Sequence, residues 1–156
     1  MNRWKKLALS GTGSTVLLAS LVGYFEPSPT PGVPYQDVTG KWTNCLGNTH
    51  EVDPRLFYTS EQCKVIDGEN ELTDLQALAT YVKVPLTNGQ RAAFADFIHN
   101  VGSANFHHST MLQYLNRKQY TFACDQLLRW VYAKGRKLNG LVIRRNAEYQ
   151  MCIAEE

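Results

Sequence analysis

Tyr35-Gln36-Asp37-Val38-Thr39-Gly40-Lys41-Trp42-Thr43-Asn44-Cys45-Leu46-Gly47-Asn48-Thr49 is the stretch from which the fold is read. Val38-Thr39-Gly40 is a turn signal, and the run from Lys41 to Cys45 that follows it alternates and is β-prone, so a short hairpin is expected here. Immediately ahead stands Glu26-Pro27-Ser28-Pro29-Thr30-Pro31-Gly32-Val33-Pro34. Its four prolines exclude regular helix and central strand, which makes it a loop or stiff linker leading into the hairpin.

Behind the hairpin the period becomes helical. Thr59-Ser60-Glu61-Gln62 has the form of a capping box and predicts a helix to about Val82; Thr87 with Gln90 predicts a second to about Asn100, and Pro85 separates the two. Shorter helices are expected at Thr110–Leu115 and at Tyr120–Tyr132, the latter with Phe122, Leu127, Leu128 and Val131 facing inward. Gly135 and Gly140 mark a break before a last helix at about Leu138–Ala154. A small hairpin lobe followed by a helical lobe is an α+β plan.

The N-terminus reads differently. Arg3, Lys5 and Lys6 precede Leu7 to Phe25, which is 19 residues without a charge. That is about the length a helix needs to cross a bilayer, and the basic flank would stay cytoplasmic with the rest of the chain in the periplasm. Yet ten of the 19 are Gly, Ala, Ser or Thr, so the segment is only marginally apolar. A cleaved signal and a permanent anchor are both open at this level. The chain divides accordingly into a membrane-directed segment, residues 1–25, and a single domain, residues 26–156.

With 156 residues and 44% apolar content the chain can bury one core, and two domains would each be too small. A formal charge of +2 is too mild to argue for nucleic acid, though it suits an anionic polymer as substrate. The four cysteines fall into two groups, Cys45 with Cys63 and Cys124 with Cys152, without Cys-x-x-Cys or zinc-finger spacing. Disulfides are the better reading than metal, and they place the domain outside a reducing cytosol. His50, His99, His107 and His108 lack the His-Glu-x-x-His arrangement of a zinc hydrolase, so neither metal nor cofactor is expected.

Glu26 and Asp37 are the only carboxylates before Glu51, and they flank the proline loop. Glycoside hydrolysis needs one carboxyl to protonate the leaving oxygen and a second polar group across the sugar to position water. Glu26 and Asp37 fit those roles, with Thr43 helping to hold the water. The plainer alternative has Asp37 capping the hairpin turn and Glu26 solvated at a membrane boundary. Trp42, Trp130 and Phe106 are read as core residues, and Arg136, Arg144 and Arg145 as a solvated basic face or local ion pairs.

The stretch from Tyr35 to Thr49 resembles the Glu, Asp, Thr active-site hairpin of the phage lysozyme family. Pro85-Leu86-Thr87 with Gln90 and Ala93, Phe97-Ile98-His99-Asn100-Val101-Gly102, Ser109-Thr110, Trp130, Gly135-Arg136 and Gly140 to Arg145 with Glu148 are similar to that family's helical lobe. The resemblance runs from about Phe25 to Cys152 and is strongest toward disulfide-bearing endolysins with a signal-arrest-release segment. The pattern departs from the family in three places: two extra residues between Glu26 and Asp37, Pro27 where glycine usually follows the acid, and Asn48 where histidine is common.

The resemblance implies a lysozyme-like fold and a muramidase that cuts peptidoglycan glycan strands between N-acetylmuramic acid and N-acetylglucosamine. Glu26 would be the general acid, Asp37 and Thr43 would orient the attacking water, and Asn100 and Gly102 would line the cleft. It further implies a monomer held in the host inner membrane facing the periplasm, then released there. A lytic transglycosylase, or a peptidoglycan-binding protein without activity, are the competing expectations.

Overall fold

The computed structural model describes residues 1–154. Its centre is α4 (Asn88–Val101), opened by the reciprocal Thr87/Gln90 capping box that the sequence announces. From Ala92 to Ile98 every residue of this helix is buried, and a helix apolar on all sides belongs in the middle of a bundle. Around it pack α2 (Ser14–Phe25), α3 (Ser60–Tyr81) and α8 (Asn139–Cys152). Thr59 and Gln62 cap α3 in the same way. The short helices α5 (Ser103–His107), α6 (Thr110–Asn116) and α7 (Tyr120–Leu127) complete the helical side, with Phe106, Met111, Leu115 and Leu127 fully buried.

The N-terminal segment is not one continuous helix. α1 (Arg3–Ala8) and α2 are separated by Gly11, at φ +73°, and by Gly13, whose extended backbone begins α2. Among the described residues no helix is long and apolar enough to cross a membrane. Instead Leu17, Leu18, Leu21 and Val22 of α2 and Trp4 and Ala8 of α1 lie in the same core as α4. At about 25 cal/mol per Å2, four buried aliphatic side chains stabilise the fold by several kcal/mol. Gly89 makes the seat for α1: a Cβ there would lie 2.5 Å from the Met151 carbonyl and 3.2 Å from Ala8 Cβ.

The hairpin expected at Tyr35–Cys45 is present as β1 (Tyr35–Gln36) paired antiparallel with β2 (Trp42–Thr43) in the register Tyr35 to Thr43. Gly40, at φ +83°, closes its turn. The sheet is smaller than its flanking loops, and three attachments fix it to α3. Cys45 is disulfide-bonded to Cys63, the Leu46 amide donates to Asp67 Oδ1 at 3.1 Å, and Asn70 Nδ2 donates to Asn48 Oδ1 at 3.0 Å. A second disulfide, Cys124–Cys152, joins α7 to the end of α8.

Several expectations are corrected. The helix read at Tyr120–Tyr132 stops at Leu127, and Tyr132–Ala133 (β3) pairs with Arg136–Lys137 (β4) across a turn in which Lys134 and Gly135 both have positive φ. Leu127 and Val131 face inward as expected, but Phe122 and Leu128 are exposed: α7 buries the face of Ala123, Cys124 and Leu127, and Phe122 stacks on Tyr114 instead. Trp42 is exposed on the hairpin, whereas Trp130 packs edge to face on Phe97. Arg144 and Arg145 are buried, and Arg136 alone of the three arginines is exposed.

Candidate active site

Glu26 is the residue at which α2 ends; its amide donates to the Val22 carbonyl. The proline loop that follows runs out to Gly32, whose carbonyl accepts from the Tyr58 amide at 2.8 Å. The proline loop thus leaves Glu26 at the helix end. The Glu26 carboxylate accepts from Arg144 Nη1 and rests on Gly47 of the hairpin loop, where an added Cβ would lie 2.9 Å from Glu26 Oε2. Gly47 also has φ +77°, so its lack of a side chain is required twice over.

Arg144 is itself held by Asp96 in a two-pronged pair, Nε to Oδ2 at 3.0 Å and Nη2 to Oδ1 at 2.9 Å. Such forked pairing fixes the guanidinium plane. Burial opposes the charge on Arg144, but Asp96, Glu26 and Glu148 together raise its pKa. Burial likewise works against the Asp96 carboxylate, and Arg144 overcomes it, holding Asp96 below the ordinary carboxylate value. Glu148 ends in the opposite state: burial and the Asp96 charge, against Arg145 and Arg144, push its pKa well up. The Glu148 carboxyl also faces the Arg145 guanidinium, and Arg145 and Arg144 both work against that rise.

Asp37 is held by its own turn. Oδ1 accepts from the Thr39 amide at 2.7 Å, the Thr39 hydroxyl at 2.6 Å and the Lys41 amide at 3.0 Å. These bonds, led by the Thr39 hydroxyl, lower its pKa against desolvation, and the residue is only partly buried at the surface. The other oxygen, Oδ2, takes none of these donors. Thr43 is buried at the far end of the hairpin and spends its hydroxyl proton on the Lys41 carbonyl at 3.1 Å, which leaves its oxygen an acceptor. Tyr35, half-buried on β1, has its pKa raised by burial first and then by the charges of both Glu26 and Asp37. Both carboxylates thus act on one side chain.

Asn100 Oδ1 is taken by Arg145 Nη2, and Arg145 also donates to the Trp130 carbonyl at 3.0 Å and pairs with Glu148. Gly102 joins α4 to α5 at φ +87° with open space where a Cβ would stand. The arginines were read as a solvated face or local ion pairs, and it is the second reading that describes Arg144 and Arg145. Asp96 and Arg144 were not read from the sequence as site residues. The signal was there: an aspartate within Ala92-Ala93-Phe94-Ala95-Asp96-Phe97-Ile98 is a charge in a stretch that must be buried, and a buried charge needs a partner.

Comparison with known proteins gives this geometry its family. The family model for phage lysozyme matches residues 31–148, a span that holds Asp37, Thr43, Asp96 and Arg144 and begins just past Glu26. A SAR-endolysin of Bacteriophage PS119 is 38% identical over 150 residues, 94% of this chain and 90% of that protein. Among solved structures, the active form of the P1 phage endolysin Lyz superposes with a TM-score of 0.77 at 23% identity, over 96% of this chain and 91% of that one. The secreted inactive form of the same endolysin gives 0.58 at 18% identity, over 87% and 92%. With the family match covering most of its length and a relative of this similarity along nearly all of it, the chain belongs to the phage lysozyme family.

Proposed function

We propose that this chain is an endolysin that hydrolyses the glycosidic bond between N-acetylmuramic acid and N-acetylglucosamine in bacterial peptidoglycan. The observation that carries the reading is the seating of Glu26 on Gly47, in the loop directly after the strand that ends on Thr43 and the turn that holds Asp37. Glu26 donates its proton to the leaving glycosidic oxygen. Water bound between Asp37 Oδ2 and the Thr43 hydroxyl attacks the anomeric carbon as the bond to the leaving oxygen breaks, and gives up its proton to the Asp37 carboxylate. Asn100, through its amide nitrogen, and the open Gly102 are assigned to the glycan. No cofactor enters the scheme.

The experiment is turbidity loss together with reducing ends released from purified peptidoglycan by the full chain and by Glu26→Gln. The full chain is needed because a fragment starting at residue 26 would lack Leu17, Leu18, Leu21 and Val22 from its core. Glu26→Gln is expected to cost about 10²–10⁴ in rate, the usual contribution of a general acid. Equal activity in both would move the acid elsewhere. Anhydro ends in place of reducing ends would replace hydrolysis by transglycosylation, and binding without cleavage by the folded parent would leave a binding protein.

The division into residues 1–25 and 26–156 is, on this reading, one of history. The first segment enters the host inner membrane, leaves it, and folds as α1 and α2 against the rest of the monomer in the periplasm. An acid at the end of α2 cannot reach Arg144 while α2 is in the bilayer, so the tethered enzyme is inactive. The greater likeness to an active than to an inactive endolysin fold supports this reading. Gly13→Leu tests it. Gly13 has φ −64° and open space around a Cβ, so leucine raises the apolarity of the segment without strain in the folded state. The variant should stay in the membrane fraction and delay lysis; lysis as fast as the parent would sink the release step.

A further inference from the structure

The candidate site is assembled from two halves carried by different helices. α3 holds the hairpin half through Cys63, Asp67 and Asn70. α4 holds the acid half, since Asp96 aims Arg144 and Arg144 holds Glu26. The two helices are joined by an ion pair between Asp74 on α3 and His99 on α4, Nδ1 to Oδ2 at 2.7 Å, with side chains only 15% and 10% exposed. Both residues line a polar groove of about 180 Å3 with Gly47, Asn48, Asn70 and Thr73. Gly47 is the residue on which Glu26 rests, so the pair shares its groove with the glycine that seats Glu26.

We propose that His99 and Asp74 are positioning residues for the glycosidase reaction: their ion pair fixes the hairpin carrying Asp37 and Thr43 in register with Glu26, and it does so only while His99 carries its proton. The proposal rests on the muramidase reading given above. Nothing else ties α3 to α4 by charge among the described residues, and the hairpin has no hydrogen bond of its own to α4. Without the pair, Asp74 and His99 are two polar side chains facing a groove, and the spacing of the halves is left to apolar contacts that can slide.

The surrounding charges favour the imidazolium. Asp67, Glu71 and Asp74 face it from α3, Asp96 from its own helix, and Arg144 from α8 with Glu26 and Glu148 beyond; the exposed His50 lies across the groove. Burial opposes the charge on His99, but the hydrogen bond and charge of Asp74, with Asp96, outweigh both burial and Arg144 and leave its pKa raised. A raised histidine pKa means that the pair is intact below the ordinary value of 6.5 and is lost as pH rises through the raised one.

The test is the pH profile of kcat/KM for the full chain on purified peptidoglycan, for the parent, Asp74→Asn and His99→Gln, with the imidazole shift of His99 followed by NMR. In the parent, activity should fall on the alkaline side together with the His99 titration. Asp74→Asn keeps the shape and removes the charge, so the alkaline limb should move down by about one pH unit. His99→Gln should abolish that limb and lower kcat by about tenfold with KM little changed, measured well below the variant's own thermal midpoint. A limb that stays in place in both variants, or a loss equal at every pH that tracks a fall in thermal midpoint, would overturn the positioning role. A parent that releases no reducing ends at any pH overturns the muramidase reading itself, and an active parent with an unmoved limb overturns the pair alone.

Discussion

Glu26 and Asp37 are eleven positions apart, and the molecule holds them by opposite means. Asp37 is fastened by three donors from its own turn, all within four residues of it, and is only partly buried. Glu26 is fastened by an arginine 118 positions away, which is in turn fixed by a buried aspartate on a third helix. The hairpin side of the site is local and can form as soon as β1 and β2 pair. The acid side exists only when α2, α4 and α8 are assembled. On the proposed mechanism, control over the activity resides in the assembly of helices, and above all in α2, which is capped at its C-terminus by Glu26.

The comparison is broken most severely by Asp96→Ala. Removing Asp96 takes away the forked partner of a buried arginine and leaves it only Glu26 and Glu148, at a cost of about 3 kcal/mol in urea unfolding, and activity should fall with it because Arg144 is no longer oriented toward Glu26. A variant as stable as the parent would show that Arg144 does not depend on Asp96. Next comes Leu18→Ala, which opens a cavity between α2 and α4 and should cost about 2–4 kcal/mol. If its unfolding midpoint equals that of the parent, α2 is not part of the cooperative core, and the acid side has no special dependence on it.

Asp37→Asn should give the smallest change in stability, since the residue is only partly buried and its bonds are confined to one turn. Turnover should still fall by about tenfold or more, as expected for loss of a group that orients water. The sign of its pH dependence follows from its lowered pKa: whatever the carboxylate adds to the turn is present above the ordinary value of 3.8 and is lost as pH falls through the lowered one. Circular dichroism between pH 5 and pH 2, run on both proteins, checks it; an identical acid transition would remove Asp37 from the account.

Much of the fold was legible because it is written in short-range signals. Two capping boxes place the starts of α3 and α4, and a turn signal followed by an alternating run places the hairpin. The second hairpin was not legible: Lys134-Gly135 takes positive φ at both turn positions, a geometry that Asn-Gly advertises and lysine does not. Nor was the break in the N-terminal segment. Gly11 and Gly13 were read as weakening one helix, whereas they separate two helices that belong to the core. The candidate site divides along the same line. Asp37 and Thr43 lie within a contiguous motif, but the partners of Glu26 come from 70 and more positions away, and their burial depends on the finished assembly.

Both disulfides join residues between Cys45 and Cys152, and the first 25 residues contain no cysteine. The covalent chemistry of the molecule can therefore be finished while the first helices are still elsewhere. On the proposed release from the membrane, oxidation would come early and what remains would be a mechanical last step, in which two helices close over a body already stapled. A host's thiol-oxidising capacity would set how many molecules become competent, and its membrane would set when.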